Sequence, residues 1–233
     1  MTIATNLETI EKRIQLACAR SNRRREDVKL VGVSKKKPAE AIIEALDTTE
    51  LRDFGENYVQ EYVEKRQILA GRTEAVWHLI GHLQRNKVRQ LMAFPPALIH
   101  SVDSIALAGQ IDRVTAELYP DYRQPILVEL RIGDEDGEKT GLPVDELPGM
   151  VDFLEKCSHL DWQGLMIIPP AFEDPEGSRP YFAQVRRILD DINRQRKVPL
   201  SVLSYGMSHD YEVAIEEGAT HIRIGTAIFG ARS

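Results

Sequence analysis

The sequence predicts an α/β protein that forms one domain over residues 1–233, a single (β/α)8 barrel of the TIM type. Short runs rich in β-branched and apolar residues alternate with segments of helical spacing, and eight such runs can be counted. Strands that alternate with helices of about a dozen residues indicate βαβ units and a parallel sheet. Eight parallel strands are the number that closes a barrel. No long linker interrupts the chain. A doubly wound open sheet is the alternative.

The predicted strands share their apolar, β-branched content. They are Val28–Lys35, Leu51–Gly55, Ala75–Gly81, Leu98–Val102, Pro125–Ile132, Leu160–Ile168, Leu200–Met207 and Thr220–Ile224. The predicted helices between them are Pro38–Ala45, Tyr58–Leu69, Ser104–Leu118, Val144–Lys156, Arg179–Arg196 and Asp210–Glu217.

Local signals support several helix ends. Pro38 is expected at the first helical position, where its missing N–H is tolerated. Asp103 or Ser104 is expected to cap the helix after the fourth strand. Gly218 follows its helix directly, as glycine commonly does.

An extra helix, about Asn6–Ala19, precedes the first strand, and almost nothing follows the last. We expect this N-terminal helix to cover the side of the barrel that a missing final helix would leave bare.

Composition limits the classes of function. The net charge of -6 argues against a protein held mainly by nucleic-acid phosphates, and the run Arg23–Arg25 is interpreted as cations near a helix end. With only Cys18 and Cys157, no disulfide framework is expected, which is typical of a reducing compartment. The charged, amphipathic N-terminus predicts neither a signal peptide nor a membrane span. These observations favour a cytoplasmic protein without nucleic-acid or membrane partners.

Functional groups of a barrel gather where its strands end. The predicted ends lie at Lys35, Asn57, His82, Asp103, the loop after Ile132, Pro169, Ser208 and Gly225. At the first end, Val31, Val33 and Lys35 share one strand face. If that face is the interior, burial lowers the pKa of the Lys35 ammonium, and a neutral amine can attack a carbonyl to form a Schiff base. A solvated lysine in a basic turn is the alternative.

The ends of the last two strands have the composition of an anion site. Gly206 and Gly225 would let backbone amides approach a phosphate, and Ser208 and Thr226 offer hydroxyl groups. Ordinary turn glycines are the alternative interpretation.

Arg223 shares a strand face with His221 and Gly225. An arginine inside a barrel is costly unless it is paired. It is either a structural ion pair or a donor aimed at a ligand acceptor, such as a pyridine nitrogen.

Five segments are specific enough to suggest a family: VSKKKPAEAI, FGENYVQE, WHLIGHLQRNK, GLMIIPP and GMSHDYEVAIEEGATHIRIGTAIFGAR. In this order they resemble signature segments of the YggS/PROSC family of pyridoxal phosphate homeostasis proteins, from about residue 31 to the C-terminus. The resemblance implies a fold-type III barrel like the alanine racemase N-terminal domain, with pyridoxal 5′-phosphate (PLP) bound to Lys35 as a Schiff base. It also implies that Arg223 faces the pyridine nitrogen. The other implied neighbours of the cofactor are Ser208, Gly225 and Thr226 at the phosphate, Asn57, and, as a weaker candidate, Ser204.

The function implied by this resemblance is a PLP carrier in vitamin B6 and amino-acid homeostasis, without catalytic turnover. PLP-dependent apoenzymes would be its transient recipients. The related racemases take a second base, a tyrosine, from an additional domain of the partner subunit, which the 233 residues do not provide. For the same reason a monomer is expected, and no residue is assigned a catalytic or metal-binding role. The alternatives are a PLP-dependent amino-acid racemase or lyase, and a metal-free Schiff-base aldolase that uses Lys35 directly.

One segment, Glu129–Gly141, departs from the family pattern. Arg131 stands where the family has asparagine, and the loop has one extra residue. The loop matches neither a P-loop, because Glu138 precedes Lys139, nor an EF-hand, because Lys139 stands where glycine is required. His78 and His82 are four residues apart, but they lie on a predicted strand and turn, so a zinc site is not expected.

Overall fold

Eight parallel strands close into a barrel in the computed structural model, which describes residues 2–133 and 140–230. The barrel strands are β1 (Lys29–Val33), β2 (Asp53–Glu56), β3 (Val76–Leu79), β4 (Leu98–Val102), β5 (Gln124–Arg131), β7 (Leu160–Met166), β8 (Val202–Ser204) and β9 (His221–Ile224), while the two-residue β6 (Leu142–Pro143) pairs only with β5. Each barrel strand pairs with the next one along the chain, and β1 also pairs with β9. The predicted (β/α)8 barrel is therefore confirmed.

The described helices lie between and around the strands. They are α1 (Ile3–Arg20), α2 (Ala39–Thr48), α3 (Val59–Ile68), α4 (Val88–Leu91), α5 (Ile105–Leu118), α6 (Leu147–Leu154), α7 (Arg179–Asn193), α8 (Tyr211–Glu216) and α9 (Thr226–Phe229). Ser104 caps α5 by accepting a hydrogen bond from the Leu107 N–H, and Gly218 after α8 has a φ of 99°. The prediction for Pro38 is wrong by one position, because it is the N-cap of α2 and not its first residue. The short helix α4 was not predicted.

Helix α1 covers the barrel beside its last two helices. Its inward stripe is buried at helical spacing, with Ile3, Leu7, Ile10, Ile14 and Ala17 as members. The Asn6 side chain donates to the carbonyl of Ile228 in α9 at 2.9 Å. Arg20 forms ion pairs with Glu212 and Glu216 of α8. The expectation that this extra helix takes the place of a long final helix is confirmed.

The basic run after α1 has a structural role. The Arg23 guanidinium donates to the carbonyls of Ile215 and Ala219 at the end of α8, at 2.8 and 2.7 Å. A cation at the C-terminal end of a helix satisfies carbonyls that have no partner within the helix. This agrees with the interpretation of the run as cations near a helix end.

The sheet separates two cores. The larger lies between the strands and the helices, and the smaller is a separate cluster formed by Leu98, Leu127, Met166 and Val202. Because strand side chains alternate, Leu127 belongs to the small interior cluster while Ile126 and Val128 belong to the outer core. The small cluster draws on β4, β5, β7 and β8. Within the described ranges, no helix combines the length and apolar character that crossing a membrane requires.

Gly164 in β7 marks a point where two strands lie very close. A Cβ at this position would be 1.8 Å from the carbonyl oxygen of Val202 in the neighbouring strand. We expect Gly164→Ala to lower the free energy of unfolding by about 3 kcal/mol, the upper range for overpacking. Gly71→Ala is the matched control, because a Cβ at Gly71 would have nothing within 4 Å. Equal denaturant midpoints for the two variants would contradict this expectation.

Candidate functional site

The predicted site residues meet at the C-terminal ends of four adjacent strands. The sheet order places β8, β9, β1 and β2 side by side. Ser204 ends β8, Arg223 lies in β9, Lys35 follows β1 and Asn57 follows β2. Ser208 follows β8, and Gly225 and Thr226 follow β9. All seven candidates therefore lie on one side of the barrel, at the end where barrels place their functional groups.

Lys35 lies in a turn directly after β1 and is partly buried. The predicted strand Val28–Lys35 therefore extends too far, since β1 ends at Val33. The Ser34 hydroxyl donates to the Glu56 carboxylate at 2.7 Å, and the Ser34 carbonyl accepts from Lys65 at 2.7 Å. The backbone N–H of Lys36, which has a φ of 58°, donates to Glu61 at 2.5 Å. Side chains from β2 and α3 thus hold the backbone on both sides of Lys35.

Glu56 and Lys65 form a buried ion pair beneath this turn. Their side chains are 0% and 6% exposed, and the Lys65 ammonium lies 2.7 Å from Glu56 and 2.8 Å from Glu61. Burial raises the pKa of the Glu56 carboxyl, and the hydrogen bonds and charge of Lys65 only partly offset it. The sequence analysis missed this pair. The one signal was the four-residue spacing of Glu61 and Lys65 on a helix.

Arg223 is a buried cation held by neutral acceptors. Its guanidinium donates to the Ser204 hydroxyl at 2.7 Å and to the carbonyl of Ile167 at 3.1 Å, and the residue is 4% exposed. Burial lowers the pKa of Arg223 to about 10, against the opposing effect of Glu129 and Asp210, so it remains charged at neutral pH. Within the described ranges no carboxylate forms an ion pair with it. The ion-pair alternative is thus not realised among those residues, and several of its five N–H donors remain for another acceptor.

The loops after β8 and β9 are shaped by their glycines. Gly206 has a φ of 92°, and a Cβ there would be 2.5 Å from that of Ala214. A Cβ on Gly225 would be 3.3 Å from Val33, so the end of β9 packs closely against β1. Ser208 is partly buried, whereas Thr226, the first residue of α9, is exposed. The first N–H groups of a helix have no partner within it, so this edge presents amides and hydroxyls together.

Asn57 has an unsatisfied buried atom. A Cβ on Gly81 would be 2.3 Å from the Asn57 carbonyl oxygen, so the loop after β3 lies directly on this residue. The side-chain Oδ1 of Asn57 is buried and has no hydrogen-bond partner among the described residues. Buried polar atoms are rarely left without one, so a ligand or water at this position is indicated.

Glu129 of β5 is a buried carboxylate whose charge acts on Arg223, and sequence reasoning missed it. Its carboxylate is 3% exposed and accepts from the Thr140 hydroxyl at 2.8 Å, and burial raises its pKa. Arg131, two residues on, is partly buried at the end of β5. The variant loop that follows includes residues 134–139, so the interpretations that involve Asp134, Asp136, Glu138 and Lys139 lie outside the described residues.

His78 lies inside the barrel and His82 in the loop after β3. His78 contacts Asp53 at 2.9 Å, while His82 contacts Asp103 at 3.0 Å. They therefore have separate carboxylate partners, and no group of three metal-ligating side chains occurs among residues 2–133 and 140–230.

Several known proteins are similar to this chain. A family model described as the alanine racemase N-terminal domain matches residues 5–233. A pyridoxal phosphate homeostasis protein of Aquifex aeolicus strain VF5 is 41% identical over 232 residues, which cover 100% of this chain and 99% of the relative. The structure of PipY from Synechococcus elongatus PCC7942 with PLP bound is 34% identical with a TM-score of 0.85, covering 98% of this chain and 100% of that one.

The fold extends to more distant enzymes. The alanine racemase of Corynebacterium glutamicum has a TM-score of 0.71 at 14% identity, and the match covers 98% of this chain and 60% of that enzyme. At this identity the likeness shows a shared barrel fold. The full-length match at 41% identity, together with the family model, shows that this chain belongs to the pyridoxal phosphate homeostasis protein family, whose barrel is that of the alanine racemase N-terminal domain.

Proposed function

We propose that this protein binds pyridoxal 5′-phosphate as a Schiff base on Lys35 and acts in PLP homeostasis without turning over a substrate. The observation that carries the proposal is Arg223, a buried guanidinium whose described partners are neutral oxygens and which retains free donors. A pyridine nitrogen is an acceptor that matches such a donor. The PLP bound by PipY and the name of the Aquifex relative support the same ligand.

The remaining residues fit the other parts of the cofactor. Asn57, with its unsatisfied Oδ1, would lie beside the ring or its hydroxyl group. Ser208, Gly225 and Thr226 would hold the phosphate through hydroxyl and backbone N–H groups. Ser204 would act behind Arg223, since its hydroxyl accepts from that guanidinium at 2.7 Å.

Bound PLP supplies an aldehyde that forms a reversible C=N bond with an amine and a ring that can accept electrons. Lys35 would supply the amine nitrogen for this C=N bond, whose formation releases one water. The contacts of Ser34 and Lys36 with Glu56, Lys65 and Glu61 would orient the Lys35 turn for this step. Arg223 would keep the pyridine nitrogen unprotonated, which weakens the ring as an electron acceptor.

That last feature supports a carrier over an enzyme, although racemases with this fold also use arginine there. We propose that PLP-dependent apoenzymes are the transient recipients and that the carrier is a cytoplasmic monomer. Cys18 and Cys157 are free thiols, as a reducing compartment would keep them.

The test is a titration of the purified protein with PLP, followed by absorbance and equilibrium dialysis. We expect one equivalent to bind with the absorbance of a protein Schiff base. Each loaded sample is then incubated with single amino acids and analysed by chiral chromatography. Release of PLP without any change in the amino acid supports the carrier. Steady racemisation or decarboxylation would replace it with the racemase or lyase alternative, and absence of binding would reject PLP altogether.

A further inference from the structure

A chain of hydrogen-bonded polar side chains crosses the barrel interior, where apolar residues usually dominate. Asp53 Oδ1 contacts His78 Nε2 at 2.9 Å, and His78 Nδ1 contacts His100 Nε2 at 3.0 Å. His100 Nδ1 contacts the Ser204 hydroxyl at 2.8 Å, and that hydroxyl accepts from Arg223 at 2.7 Å. These five residues come from β2, β3, β4, β8 and β9, so the chain joins strands that are far apart in sequence.

The chain connects two different environments. Asp53 is near solvent, at the N-terminal end of the barrel, where Lys29 forms an ion pair with it at 3.0 Å. His78, His100 and Ser204 are at most 2% exposed. Arg223 is at the far end, beside the ends of β1 and β9 where the proposed ligand binds. A continuous path of hydrogen bonds therefore links the solvent side of the barrel to the guanidinium.

The carboxylate at one end determines where each hydrogen lies. Although burial opposes it, the hydrogen bond from His78 and the Lys29 ammonium keep the pKa of Asp53 below its ordinary value. A carboxylate only accepts, so His78 carries its hydrogen on Nε2. In neutral His78 the bare Nδ1 accepts from His100 Nε2, which leaves His100 Nδ1 to accept from the Ser204 O–H. The Ser204 oxygen then has its lone pairs free for Arg223.

The opposite arrangement is less favourable. If His78 were a cation, His100 would donate to Ser204, and the Ser204 hydrogen would have to find another acceptor. Burial lowers the pKa of His100 well below 6.5 and that of His221, whose ring packs on both histidines, to about 3. The charged or titratable groups that face the chain are Lys29, Asp53, His221, Arg223, Glu129 and Asp210.

We propose that Asp53, His78 and His100 are positioning residues that act through Ser204 to fix the acceptor that holds Arg223 in place for its ligand. The Asp53 carboxylate fixes the hydrogen on His78 Nε2, and each hydrogen bond then determines which atom is the donor in the next one. The ligand part of this inference rests on the proposed function, whereas the hydrogen positions do not.

The hydrogen positions can be tested without cofactor. Two-bond 1H–15N correlation spectra of histidine-labelled protein distinguish the ring nitrogen that carries hydrogen, and His78→Gln and His100→Leu assign the signals. We expect both His78 and His100 to be neutral and protonated on Nε2. A His100 protonated on Nδ1 would overturn the proposal.

The effect on the ligand is tested with a double-mutant cycle on PLP binding. We expect His100→Leu to weaken binding about tenfold, the order of one hydrogen bond to a charged group. Ser204→Ala should weaken it at least as much, and adding His100→Leu to Ser204→Ala should cause little further loss, because both act through one bond. Leu127→Val, an interior substitution outside the chain, should leave binding unchanged.

Two outcomes of the cycle contradict the inference. One is unchanged PLP affinity in His100→Leu, and the other is a double variant whose loss of affinity equals the product of the two single losses. If His100→Leu does not fold, the spectra of the wild-type protein still show which ring nitrogen of each histidine carries hydrogen. If the wild type binds no PLP, the proposed function fails while the spectra continue to test the chain of hydrogen bonds.

Discussion

Lys35→Ala is expected to abolish the Schiff-base absorbance of the PLP-loaded protein completely, and added cofactor should not restore it. The reason is that the C=N bond requires an amine at this position, and the adjacent Lys36 has a left-handed backbone and is exposed. Lys35 directly follows the buried Ser34, whose hydroxyl and carbonyl are both fixed by hydrogen bonds. The measurement is the absorbance spectrum before and after addition of PLP.

The matched control is Lys36→Ala, which removes an adjacent ammonium and should keep the absorbance. Borohydride reduction of the loaded wild type, followed by peptide mass analysis, should place the added mass on Lys35. A modified peptide that contains another lysine, or an unchanged spectrum for Lys35→Ala, would contradict the assignment and leave Lys35 without its proposed role.

Lys65→Met is expected to lower the free energy of unfolding at neutral pH by about 3–5 kcal/mol, the usual cost of removing one partner of a buried ion pair. Glu56 is fully buried, its Oε1 accepts from Lys65, and its Oε2 has no partner among the described residues. Without the ammonium, Glu56 must either remain an unpaired anion or bind a proton. Denaturant unfolding followed by circular dichroism measures the change.

The pH dependence separates this cause from simple loss of packing. The pKa of Glu56 is already raised by burial, and it should rise further in the variant. A raised pKa means that the folded state keeps a proton which the unfolded chain releases above about pH 4.5. The loss of unfolding free energy caused by Lys65→Met should therefore grow as pH rises past that value and shrink below it. Glu56→Gln in the Lys65→Met background should recover part of the loss. Lys12→Met on the exposed face of α1 is the control, and an equal loss there, or a cost that does not change with pH, would contradict the explanation.

Much of the barrel could be predicted from local patterns. The alternation of strands and helices predicted the strand order. The predicted strand ends placed Lys35, Asn57, Ser208 and Gly225 after four strands that are neighbours in the sheet. These predictions succeed because the closure of a parallel barrel leaves little freedom in where consecutive strands end. The roles of the residues at those ends remain predictions.

The supporting residues could not be predicted in the same way. Lys65 stands among charged residues on α3 and resembles a solvated lysine until that helix packs over the end of β2. His100 lies in β4, where all five residues are buried, so alternation does not show which side faces the interior. In both cases the partner is far away in sequence or depends on how a helix packs, and neither leaves a local pattern.

The pairing of β1 with β9 also bears on how the protein folds. These strands, and the contact of Asn6 with Ile228 across 222 positions, join segments that are far apart along the chain. Until β9 pairs with it, β1 has an open edge on which other chains could pair. Pairing of β1 with β9 brings Lys35, just after β1, and Arg223 of β9 to neighbouring positions in the proposed ligand site. A ligand that contacts residues of both strands would bind the closed barrel and not the opened one, so it would stabilise the barrel against opening between β1 and β9.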